Sequence, residues 1–218
     1  MINAIGAFIF TIILLGFREA KLDTARIEQR LASASLILHA AIVLLLCWIG
    51  WYTVEASRTQ QFAGWIVFLV EAANLWIHEA GHGYCMFFPE AVMVLGGTLL
   101  QLAVPSILAI YMALNRRYLL ACLLAFWLAQ NLPSIASYIS DARAQKLELL
   151  GGGDSTHDWA FMLGRLNLLE FDTQIGSVVN ALGVCGMLAA IGGYLWFVIR
   201  PTPVSPIADP LAESKLHS

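Results

Sequence analysis

Charged side chains are scarce in this chain: Asp, Glu, Lys and Arg make up 12% of its 218 residues, while 59% are hydrophobic. A soluble domain carries about 25% charged residues, so a mean hydropathy of +0.73 places the chain in a bilayer. Positive charge is not in excess either. With a net charge of −3 and an isoelectric point near 5.9, there is no basic field to grip a phosphate backbone, which excludes nucleic acid as a partner. Cysteine pairs are missing. Cys47, Cys85, Cys122 and Cys185 lie in apolar runs and none forms a C-x-x-C, so packed thiols are expected rather than disulfides or a thiolate metal site. No basic stretch precedes the first apolar run and no small-residue cleavage site follows it, so the run is expected to persist as an anchor. Internal repeats and a separate soluble domain are also lacking.

Long apolar runs, by contrast, fill the chain. A hydrocarbon core about 30 Å thick takes roughly 20 apolar residues per helix, and the expected fold is an all-α polytopic bundle of about six transmembrane helices. The expected crossings are 2–17 (short), 31–54, 62–88, 92–114, 118–141 and 175–199, in one domain over 1–200 followed by a disordered tail over 201–218. The loop before the last crossing carries "GGGDSTHDW" and then "AFMLGRLNLLEF", whose apolar spacing predicts a short interfacial helix capped near Ser155 or Thr156. If crossings alternate, the face where the fifth ends holds seven Lys and Arg (Arg18, Lys21, Arg26, Arg30, Arg143, Lys146, Arg165) against five opposite. The positive-inside rule then makes that face cytoplasmic, in a membrane expected to be the bacterial cytoplasmic one.

Three polar residues interrupt the third crossing. His78, Glu79 and His82 in "NLWIHEAGHGYC" match H-E-x-x-H. On a helix, residues four apart stand one turn above each other, so both imidazoles reach one ion and the glutamate stands beside it as a base. Interior histidines lining a helix seam are the plain alternative, but polar groups inside a membrane are costly and mark function by default. Zinc is the metal this set implies, and a hydrolytic zinc site needs a third protein ligand and an open position for water. The leading candidate is Asp141, at the same depth, ending a polar stripe of Gln130, Ser134, Ser137 and Asp141 flanked by Asn131 and Tyr138. His157 and Asp158 in "STHDW" are alternatives. The pair is read equally as ligands, as a carboxylate orienting an imidazole, or as a helix cap. His39 is a more distant candidate. Glu71 and Asn74 share the face of His78, and Glu71 is read either as a proton-relay carboxylate or as a paired packing residue.

"HEAGH" in a membrane helix, "GGTLLQ" (residues 96–101) in the next, and "NLPSIASYISD" (131–141) in a later one resemble the site-2 protease family of intramembrane zinc metalloproteases. The resemblance implies that His78, His82 and Asp141 bind zinc, that Glu79 activates water, and that Asn131 holds the substrate backbone. In the family the aspartate is followed by glycine; here Ala142 follows Asp141. The expected activity is therefore hydrolysis of a peptide bond in a transmembrane protein or peptide, with membrane lipid as the other partner. Two further readings stay open: an integral-membrane amidase acting on a lipid amide, and a non-catalytic membrane subunit that binds a metal or a partner helix.

Overall fold

A computed structural model describes residues 24–59, 64–147 and 157–200. The short crossing expected over 2–17, the caps expected at Ser155 and Thr156, and the tail over 201–218 lie outside the described residues. Six α-helices follow the helical residues 24–32: α1 (Leu36–Thr59), α2 (Trp65–Cys85), α3 (Glu90–Leu114), α4 (Tyr118–Ser140), α5 (Asp158–Arg165) and α6 (Asp172–Ile199). A 3-10 turn, Leu169–Phe171, leads into α6, and there is no strand among the described residues.

Among the described residues four helices are long and apolar enough to cross a membrane: Leu36–Thr59, Glu90–Leu114, Tyr118–Ser140 and Leu169–Ile199. The expected crossing over 62–88 is the helix α2, which is 21 residues long but carries Glu71, His78, Glu79 and His82 and is not one of the four. Its apolar outer face, with Trp65, Ile66, Phe68, Leu69, Leu75 and Trp76, is exposed like the outer faces of its neighbours.

Small residues set the packing. The most extensive helix contact joins α4 to α6, where a Cβ at Gly183 would stand 2.7 Å from Pro133 and one at Gly186 would stand 2.9 Å from the Ala129 Cβ. Backbones can approach this closely only where side chains are absent. Phe126 and Ala129 of α4 pack with Met187 and Ala190 of α6 in one buried cluster. A second cluster joins Ile135, Ile139 and Ala142 to Leu163 of α5, with Trp159 and Leu169 against it. That cluster fixes the short helix to the C-terminal end of α4.

The alternation expected from the sequence does not hold for the first described segment. Glu28 accepts hydrogen bonds from the backbone N–H groups of Leu119 (2.8 Å) and Leu120 (3.0 Å), satisfying the open N-terminus of α4. His39 Nδ1 lies 3.0 Å from the Tyr194 hydroxyl near the end of α6, and Gln130 donates to Thr53 at 3.2 Å. These contacts make α1 parallel to α4, so Arg26 and Arg30 lie at the opposite end of the bundle from Asp141. Among the described cations Arg26, Arg30, Arg116, Arg117 and Arg200 are at the α4 start, against Arg58, Arg143, Lys146 and Arg165 at its end, five to four. Among the described residues no excess of cations marks the Asp141 end.

Candidate metal centre

The site forms where α2 crosses α3. Gly81 meets Gly96 so closely that a Cβ on either would strike the other's carbonyl, and this contact brings the motif turn against the α3 backbone. His78 and His82 both point into the crossing, with ring centroids 4.8 Å apart. A Cβ at Gly97 would stand 2.5 Å from Nε2 of both rings. The missing side chain thus leaves a hollow that the two imidazole nitrogens face.

Each ring is held from behind by α3. His82 Nδ1 donates to the Met93 carbonyl at 2.9 Å, and His78 Nδ1 donates to Gln101 Oε1 at 3.0 Å. Met93, Gly97 and Gln101 are spaced by four residues and so share one face of α3, matching the four-residue spacing of His82 and His78 on the antiparallel α2. With both Nδ1 protons engaged, a neutral ring turns its Nε2 lone pair to the hollow.

A carboxylate closes the site. Asp158 Oδ2 lies 3.0 Å from His78 Nε2 and 3.2 Å from His82 Nε2. The three ligand atoms of His78, His82 and Asp158 all lie within 4.8 Å of one another. Burial raises the Asp158 carboxyl, but the hydrogen bonds from His78 and His82 outweigh it and hold the group below the ordinary carboxylate range. Imidazolium rings donating to Asp158, or one cation shared by all three groups, would each account for this arrangement. Two neutral imidazoles and a carboxylate around a side-chain-free hollow are a fitting donor set for zinc.

Asp158 is delivered by the start of α5. His157 caps that helix, its Nδ1 accepting from the Ala160 N–H at 3.2 Å. The Asp158 N–H donates to the Tyr138 hydroxyl at 3.2 Å, and Tyr138 packs on the His157 ring at 4.3 Å between centroids. Burial pushes the His157 imidazole below its usual range, against the attraction of Asp141.

The structure divides the candidates named from the sequence. It brings His78 and His82 together with Asp158. Asp141 instead accepts from the backbone N–H groups of Lys146 and Leu147, both at 3.0 Å, and its Oδ2 lies 3.5 Å from His157 Nε2. His157 therefore serves as a cap and a partner of Asp141, and neither belongs to the converging group. Glu79, half-buried, lies within electrostatic reach of His82 and Tyr138. Asn131 is fully buried. Its amide donates to the Trp127 carbonyl and its Oδ1 accepts from Gln101 Nε2, both at 2.9 Å. Comparison with protein-family models, curated proteins and solved structures finds no match.

Glu71 belongs to a separate buried network. Gln130 and Ser134 donate to its two oxygens at 2.5 and 2.7 Å. Asn74 donates to Gln130 at 3.1 Å and accepts from Trp127 at 2.8 Å. Gln130 and Ser134 of the polar stripe thus face α2, as polar groups within apolar surroundings must face protein. Gly97 and Gln101 lie in the "GGTLLQ" segment quoted for the resemblance, with no role assigned to either, and Met93 was not singled out. The available signal was a glutamine one turn after a glycine in an otherwise apolar helix.

Proposed function

We propose that the protein is a membrane-embedded zinc-dependent hydrolase, with the metal held by His78, His82 and Asp158 and with Glu79 as the general base. The observation that carries this reading is the convergence of His78 Nε2, His82 Nε2 and Asp158 Oδ2 on the Gly97 hollow, one residue from a glutamate. Bound zinc would supply Lewis-acid polarisation of a substrate carbonyl and a lowered water pKa. The Glu79 carboxylate accepts the proton of the attacking water and returns it to the leaving nitrogen. Tyr138, packed against His157 and accepting from the Asp158 N–H, ties the start of α5 to α4 beside the site. The α2 helix shares the membrane with its apolar neighbours.

Within this reading the substrate is the peptide bond of a transmembrane protein, as the resemblance to site-2 proteases suggests. A lipid amide is the second substrate reading, and one observation favours it: the Asn131 amide is wholly buried and hydrogen-bonded within the protein at both ends, so it is not presented to a peptide backbone. Purified protein in detergent is expected to carry one zinc per chain in the wild type and in Glu79→Gln, and little in His78→Ala. Cleavage of a fluorogenic helical peptide and of a fluorescent ceramide, measured side by side, distinguishes the substrates, and Glu79→Gln should abolish whichever activity exists. A metal-free wild type would end the proposal.

A further inference from the structure

The hydrogen-bond chain that runs from the α4 backbone to His78 has a direction. A backbone carbonyl only accepts, so the Asn131 group 2.9 Å from the Trp127 carbonyl is its NH2, and its Oδ1 faces Gln101. Gln101 must then present Nε2–H to Asn131 and Oε1 to His78. Facing an acceptor, His78 Nδ1 carries the proton. Each assignment follows from the one before, and the only anchor is a peptide carbonyl that cannot turn over.

We infer that Gln101 and Asn131 are positioning residues that fix His78 as the Nδ1–H tautomer and so commit its Nε2 lone pair to the metal. This rests on the metal centre proposed above. The Trp127 carbonyl orients Asn131, Asn131 orients Gln101, and Gln101 orients the ring. Asn131, which the family resemblance assigns to the substrate, acts in this chain on the metal ligand through Gln101. All three side chains are almost wholly buried, with Asn131 at 0%, Gln101 at 6% and His78 at 7% exposure, so water does not substitute for a missing member. His82 has no such relay, since the Met93 carbonyl serves it directly. The two ligands therefore differ in what mutation can reach.

The test is zinc affinity of the full-length protein, measured by competition with a chromophoric chelator, together with the visible spectrum of the cobalt-loaded form. Gln101→Met keeps the length and removes the acceptor, and is expected to weaken zinc binding 10- to 100-fold, the range for groups that orient a ligand. Asn131→Leu should weaken it less, because Gln101 keeps its acceptor but loses its orientation. Gln101→Glu restores the acceptor for His78 Nδ1 but loses the donor to Asn131 Oδ1, and is expected to bind zinc more tightly than Gln101→Met, with the wild-type cobalt spectrum. A structural role alone would leave Gln101→Glu as impaired as Gln101→Met, and that result would overturn the relay. So would wild-type affinity in Gln101→Met. If Gln101→Met does not fold, the Gln101→Glu and Asn131→Leu comparison decides alone. Absence of zinc from the wild type would sink the metal centre itself, whereas zinc-bound wild type with indifferent variants sinks only the relay.

Discussion

Two aspartates compete for the third position at the proposed metal site, and their surroundings separate them. The Asp141 oxygens take two backbone N–H groups where α4 ends, so this carboxylate serves the chain reversal, while Asp158 Oδ2 touches both motif rings. Asp158→Asn is expected to lower zinc affinity more than about 100-fold, beyond the range for groups that merely orient a ligand. In Asp141→Asn the metal should be retained and the loss should appear in stability, about 1–3 kcal/mol for unsatisfied backbone donors. Zinc content and thermal melts on the two variants check this pair of outcomes, and loss of metal in Asp141→Asn alone would reverse the assignment. From the sequence His78, Glu79 and His82 were legible because their spacing is a property of one helix turn. The carboxylate was legible only as an alternative to Asp141, because the distance between α2 and a loop eighty residues later is set by how α5 docks.

At the scale of elements, the site depends on α2 and α3 touching through glycine. A Cβ at Gly97 would occupy the hollow faced by both Nε2 atoms, so Gly97→Ala is expected to lose zinc while staying folded, read as metal content on monodisperse protein. Gly81→Ala pushes the helices apart at the Gly96 carbonyl and should destabilise by about 1–3 kcal/mol, the usual cost of overpacking. Gly192, near which an added Cβ meets nothing within 4 Å, is the control: Gly192→Ala should be neutral or stabilising by up to about 1 kcal/mol through helix propensity. Equal loss in all three variants would mean that the crossing is not what holds the site. Helix positions were legible in the sequence because apolar runs of bilayer length have few alternatives. The expected ends of the crossings at 114, 118 and 199 coincide with helix ends, because Asn115, Arg116, Arg117 and Arg200 stop an apolar run as sharply as they stop a helix.

For the whole molecule, the parallel course of α1 and α4 decides which loops share a face. Single cysteines placed at Arg26, Arg116 and Arg143 in a cysteine-free background should label with a membrane-impermeant thiol reagent as two on one side and one on the other, Arg143 being the odd one. Arg26 labelling together with Arg143 would restore the simple alternation. Composition and hydropathy by themselves determined that the chain is helical and apolar enough for a bilayer, since unpaired backbone groups cannot be left in hydrocarbon, and the motif spacing determined that two imidazoles stand on one helix face. Only the tertiary structure decided that Asp158 meets them, that Gln101 and Asn131 stand behind His78, and that α1 begins beside the start of α4. Those are contacts between segments far apart in the chain, fixed by glycine-scale helix approach and by buried polar groups that must find each other, and local sequence pattern does not encode either distance.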